Sequence, residues 1–157
     1  MSKRKVPATR DDEIFVLKTR MISESTKKTI EIHDFIKKIE DQDNNMREIQ
    51  SPKFMMAGVE FSIYVYPDFL QYSPGRIGVG LHNYSNEDQM CSVTAKGTGV
   101  EKSWEMKKVR AGKQYGWMPG FMTHEKYREW AKVHGDVLKL EVVVTLHTKA
   151  EGDDWTR

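Results

Sequence analysis

The side chains with the most chemistry to offer in this chain are a single cysteine, five histidines and two close pairs of aspartates. A thiolate nucleophile needs an exposed, electropositive setting. Cys91 instead alternates in step with Val93 and Ala95, which predicts a core position. His33, His82, His124, His134 and His147 show no short ligand spacing of the His-x-x-x-His kind, so no metal site is expected. His124 and His134 flank a predicted helix, where surface or capping roles are expected. The pairs Asp41/Asp43 and Asp153/Asp154 lie in polar stretches and read as solvated. Gly97-Thr98-Gly99 is too short for a phosphate-binding loop, and no glycine run leads from a strand into a helix with a lysine. The expectation is a protein without catalytic residues, metal or cofactor.

The elements that would position a site have mostly a period of two. Phe61, Ile63 and Val65 point one way and Ser62, Tyr64 and Tyr66 the other, and Pro67 closes that strand because it cannot donate to a ladder. Ile77, Val79 and Leu81 alternate with Gly78, Gly80 and His82. Cys91, Val93 and Ala95 alternate with Ser92 and Thr94, and Trp104 and Met106 with their polar neighbours. Leu138, Leu140, Val142, Val144 and Leu146 form one face of a last strand over 136–147, with Val143 breaking the polarity of the other. Ile30, Ile32 and the bend at His33-Asp34-Phe35 read as a short strand, and Lys37 to Arg47 as a charged surface loop. Thr123 to His134 supports one short helix, with Thr123 as cap and Tyr127, Trp130 and Val133 on its apolar face. Six or seven short strands and one helix predict an all-β fold: an antiparallel two-sheet sandwich of about seven or eight strands. The expected organisation is a flexible segment over 1–24, the sandwich over 25–150 and a tail over 151–157. Within the lead-in, Ile14-Phe-Val-Leu17 reads either as a short strand or as the first turn of a capped helix.

At 157 residues the chain has the length of one ordinary domain, enough to bury a core without disulfides. No stretch approaches the roughly 20 apolar residues of a membrane span, and no apolar run follows the basic Met1-Ser-Lys-Arg-Lys5, so neither a membrane nor a secretory signal is expected. One cysteine excludes an internal disulfide and suits a reducing compartment, the cytoplasm first and the nucleus second. The 25 basic and 23 acidic residues are dispersed. The densest basic clusters, Lys3-Arg4-Lys5 and Lys107-Lys108 with Arg110, read as solvated ends, so nucleic acid is not an expected partner.

Four stretches in order are similar to one family. Thr29-Ile-Glu-Ile-His-Asp-Phe35 resembles the opening strand of the MATH (meprin and TRAF homology) domain. Ser51-Pro-Lys-Phe54, Gly58 and Phe61-Ser-Ile-Tyr-Val-Tyr-Pro67 resemble its most recognisable block, with Phe61 where the family has tryptophan. Tyr115-Gly-Trp117 with Phe121 resembles the family's Trp-Gly-Phe-x-x-Phe segment, one residue longer here, and 136–144 its closing strand. The resemblance covers roughly 28–148 and implies a module that grips a short extended segment of a partner protein in a groove on one sheet, as in ubiquitin-pathway and receptor-signalling adaptors. It implies that Tyr115, Gly116 and Trp117 line that groove, with Gln114 beside them. Tyr115 and Trp117 are of the types favoured at binding hot spots, and Gly116 lets a backbone approach; Trp117 reads equally as a core residue. Gly78 and Gly80 stand where the family often has an aromatic. Their glycine-lined face reads either as a seat for a bulky neighbour or as a hollow, and the hollow supports an alternative, a non-catalytic binder of a small apolar or aromatic ligand. A homo-oligomer built through residues 11–22 is a further expectation.

Overall fold

The alternating stretches become strands with one face for a core. The computed structural model of the chain describes residues 21–41, 48–69 and 73–149. Two antiparallel sheets pack together. In the first, β1 (Met21–His33), β10 (Val137–Lys149), β6 (Gln89–Gly97) and β7 (Val100–Val109) lie side by side in that order. In the second, the order is β2 (Ile49–Gln50), β4 (Val59–Tyr66), β5 (Arg76–Asn83) and β8 (Gln114–Gly116). Two short strands, β3 (Phe54–Met56) and β9 (Met122–Thr123), add to β4 and β5 respectively. The expected all-β sandwich is the fold observed.

The core lies between the sheets. Ile32, Leu138, Leu140, Val142, Val144, Leu146, Cys91, Val93 and Ala95 face it from the first sheet, and Phe61, Ile63, Val65, Ile77, Val79 and Leu81 from the second; all are buried. The polar face of β1 and β10 carries Ser25 against Thr145 at 2.8 Å and Lys27 against Glu141 at 3.4 Å. β1 is an edge strand, and its Lys27 and Lys28 suit an edge that must not recruit another chain indiscriminately.

Two boundaries differ from expectation. β1 begins at Met21, where Met21 pairs with Lys149 and Glu24 with Leu146, so residues 21–24 belong to the sheet and not to a lead-in. Ile14–Leu17, Asp43, Asp153 and Asp154 and the tail over 151–157 lie outside the described residues, as does most of the segment 11–22. The reading of Phe35 as a strand end and of Lys37 onward as a loop is corrected: Phe35–Glu40 is a helix, α1. Its start makes no side-chain cap from Asp34, which is left-handed at φ 56°. The cap comes instead from Asp136, whose carboxylate accepts from the Ile36 N–H at 3.0 Å. Such a cap, 100 residues away, leaves no local signature.

The expected helix is present as α2 (His124–His134). Thr123 caps it by accepting from the Lys126 N–H at 3.1 Å, and Gly135, at φ 96°, ends it. Tyr127 and Ala131 are its buried residues, while Val133 is 78% exposed rather than part of the apolar face. Tyr127 meets Phe35 edge to face at 5.2 Å and donates its hydroxyl to Asp136 at 2.8 Å. One carboxylate thus ties both helices to the base of β10. Replacing Tyr127 by Phe should lower stability by about 1.5–3 kcal/mol, the usual value of a hydrogen bond to a charged group. The check is a urea midpoint that falls while the slope of the transition stays constant.

Candidate functional site

β8 positions three of the residues singled out above, and pairing dictates where each points. Gly80 is opposite Gly116, Leu81 opposite Tyr115 and His82 opposite Gln114. Residues opposite one another share a face, so Tyr115 lies on the core side with Leu81, and Gln114 and Gly116 lie on the outer side. The ladder bonds run from the Trp117 N–H to the Val79 carbonyl at 3.1 Å and from the Asn83 N–H to the Lys113 carbonyl at 3.0 Å. In an antiparallel ladder that spacing makes Tyr115 the residue that bonds β5, and turns the N–H and C=O of Gln114 and Gly116 away from it. Among the described residues no strand lies on that side of β8.

The outer face of the second sheet is not a hollow. Phe69 lies over Gly78 and Gly116, so that a β-carbon at Gly78 would stand 2.6 Å from its ring and one at Gly116 2.4 Å. Gly80 is covered by Tyr66, whose ring would be 3.0 Å from a β-carbon there, and the Tyr66 hydroxyl donates to Gln114 at 2.8 Å. Tyr64, Tyr66 and Phe69 form a second buried cluster, separate from the main core. It continues through ring pairs as Phe69–Tyr66 at 4.9 Å, Tyr66–Tyr64 at 6.4 Å, Tyr64–His82 at 6.0 Å and His82–Tyr84 at 4.1 Å. Gly78 and Gly80 are therefore the floor beneath aromatic rings, which corrects their placement as groove residues. It also removes the physical basis of a small-ligand hollow on that face. The signal was in the sequence, as Tyr64, Tyr66 and Phe69 stand close to the two glycines, but only the pairing register shows which ring meets which.

Trp117 is likewise a core residue, 1% exposed, and its role as a groove wall is corrected. Its indole Nε1 crosses to the first sheet and donates to the Glu105 carbonyl at 3.1 Å. That carbonyl belongs to a bulge in β7, where the register steps from Val93–Trp104 to Cys91–Lys107, two residues against three. In return Trp104 of β7 donates its indole N–H to the Pro119 carbonyl at 2.9 Å, and Lys102 donates to the Gly120 carbonyl at 3.2 Å. Met118–Pro119 is a cis peptide in this linked stretch.

Between β7 and β8 the sandwich opens as a cleft of about 440 Å³, lined by Lys102, Trp104, Glu105, Lys107, Tyr115 and Met118 among others. Tyr115 meets Trp117 edge to face at 4.9 Å and keeps part of its surface exposed, and Met118 is 55% exposed. Lys107 pairs with Glu105 at 2.9 Å, and that partner raises its pKa. A second cleft, of about 420 Å³, lies at the opposite edge between β1 and the β2–β3 segment. Sequence reasoning missed Lys102, Trp104 and Met118, because only the packing of two edge strands brings them beside Tyr115.

The groups with catalytic potential are scattered. Cys91 is fully buried, and burial pushes its thiol from 9.0 up to about 12. His124 bonds the Pro67 carbonyl at 2.7 Å, His147 bonds Ser92 at 2.9 Å, and His134 stacks on Trp130 at 3.7 Å. His82 has its pKa lowered by burial and then by Lys53, and its Nδ1 is buried without a hydrogen-bond partner among the described residues. Among the described residues no group of His, Cys, Asp and Glu has the arrangement of a metal site, and no helix is long and apolar enough to cross a membrane.

Two outcomes check this geometry. Trp104→Phe keeps most of the ring area but removes the N–H bond to Pro119, and should cost about 1–2 kcal/mol in urea unfolding. Burial also raises Tyr64, from 10.0 to about 12. Cys91 and Tyr64 both hold their protons longer folded than unfolded. Their contribution is complete below about pH 9 and is lost as the pH rises toward 12, at about 1.4 kcal/mol per pH unit for each group while it titrates only in the unfolded chain. Urea midpoints at pH 8, 10 and 11 should fall in that order, and a flat profile would contradict both burial assignments.

The chain matches no protein-family model and no curated protein at significant similarity.

Proposed function

We propose that the protein is a non-catalytic interaction module that binds a short extended segment of a partner protein along the edge of β8, over the cleft between β7 and β8. The observation that carries this reading is the outward orientation of the Gln114 and Gly116 backbone groups, on a strand with no described neighbour, directly beside the part-exposed Tyr115. An added strand would take up those backbone groups, while alternate side chains enter the cleft against Tyr115 and Met118. Backbone bonds then supply affinity and the cleft supplies choice. The resemblance of four segments to the MATH family, whose members bind extended peptides in this manner, supports the same reading. Within the proposed site Gln114 and Tyr115 keep their roles, Gly116 offers only its backbone groups because Phe69 fills the space above it, and Lys102, Lys107 and Met118 join them. The single, buried Cys91 accords with a reducing compartment such as the cytoplasm.

A cellulose-bound array of dodecapeptides, probed with the full chain, tests the reading. Spots bound by the wild type should be bound about tenfold or more weakly by Tyr115→Ala, the loss expected of an aromatic hot spot. Methylating successive backbone nitrogens of a bound peptide should weaken binding at every second position, because only alternate N–H groups face β8. Equal binding by the Tyr115→Ala protein, or a methylation profile without period two, would overturn the assignment.

A further inference from the structure

The cleft carries a charge that nothing described in the molecule neutralises. Lys102 is opposite Ala95, a core-facing residue of β6, so its side chain enters the gap between the sheets instead of the solvent face of β7. There it is partly buried, and its ammonium donates to the Gly120 carbonyl at 3.2 Å. An ammonium has three donors and this bond uses one. Among the described residues no carboxylate lies within ion-pair distance of Lys102. Burial first, and then the like-charged Arg76, make the protonated form less favourable there. The other lysine among the described lining residues, Lys107, is already paired with Glu105. Among the described lining residues Lys102 is thus the lysine without a counter-charge.

We propose that the segment bound along β8 carries one aspartate or glutamate whose carboxylate docks on the Lys102 ammonium at the Pro119–Gly120 end of the cleft. This rests on the groove reading above and deepens it by naming the chemistry of the occupant. A carboxylate offers acceptors to the two ammonium donors that Gly120 leaves unused, and in a partly desolvated site a charge-assisted hydrogen bond is worth about twice a neutral one. The carboxylate would also relieve the repulsion between Lys102 and Arg76, so the cation strained in the free protein is the one that gains a partner in the complex.

The test selects phage-displayed random dodecapeptides on the full chain and titrates synthetic copies by fluorescence anisotropy. Selected peptides should share an acidic residue at one position. Changing that residue to its amide should weaken binding to the wild type by about tenfold or more. The same change should matter less than about twofold to Lys102→Met, while Lys102→Arg should keep the discrimination. If Lys102→Met fails to fold by near-ultraviolet circular dichroism, the amide swap on the wild type and on Lys102→Arg decides the matter. Peptides that depend on Tyr115 but show no acidic preference would overturn this inference and leave the groove standing. Tighter binding of a phosphoserine than of the carboxylate at that position would overturn the choice of anion. Selection of no peptide that depends on Tyr115 would overturn both readings.

Discussion

Two indole N–H groups, exchanged across one edge, tie the two sheets together beside the cleft between β7 and β8. Trp104 reaches from the first sheet to the Pro119 carbonyl, and Trp117 reaches from the second to the carbonyl of Glu105. Both rings are buried, at 7% and 1% exposure, so each tryptophan places a large apolar surface in the core and still pairs its one polar group. β8 has three residues and, among the described residues, pairs with β5 alone. The exchange fixes its far end against β7, and with it the direction of Tyr115 and the outward backbone of Gln114 and Gly116. The β7 bulge is part of the same device, because it frees the carbonyl that receives Trp117 and brings Lys107 to the cleft side.

The opposite surface of the second sheet solves a different problem. Its outward residues include Tyr64 and Tyr66, which a single-core sandwich would leave exposed, and both are 6% exposed. They are accommodated because Gly78, Gly80 and Gly116 lack side chains, so that Phe69 and Tyr66 lie flat on the backbone. The rings in turn hold Gln114 through the Tyr66 hydroxyl. One face of β8 is therefore filled by the protein itself, while its edge has no neighbour among the described residues. At the far end of the row, Lys53 lies 4.3 Å from the Tyr84 ring centroid, and Gln50 and Ser62 bond the Tyr84 hydroxyl.

Much of the fold was legible in the sequence, because alternation is local. Val93 with Ala95 and Leu138 through Leu146 show their inward face by spacing alone, and they lie where that spacing puts them. Thr123 and Gly135 likewise bracket α2 with nearby residues. What was not legible depended on partners distant in sequence. α1 starts on a carboxylate 100 residues away, so Phe35–Glu40 carries no cap of its own to recognise. The same limit applied to the cleft, where the resemblance to one family marked Gln114, Tyr115 and Gly116 but not Lys102, Trp104 and Met118.

By itself the sequence determined the sandwich, the inward residues of its long strands and the core position of Cys91, since a period of two needs only neighbours to express it. Tertiary structure decided which aromatic covers which glycine, that Trp117 is a clamp and not a wall, and that Lys102 turns into the cleft without a described counter-charge. Those outcomes follow from register and from the meeting of two edge strands. A shift of one residue in either strand would reverse the face of every side chain involved, and no local pattern records that choice.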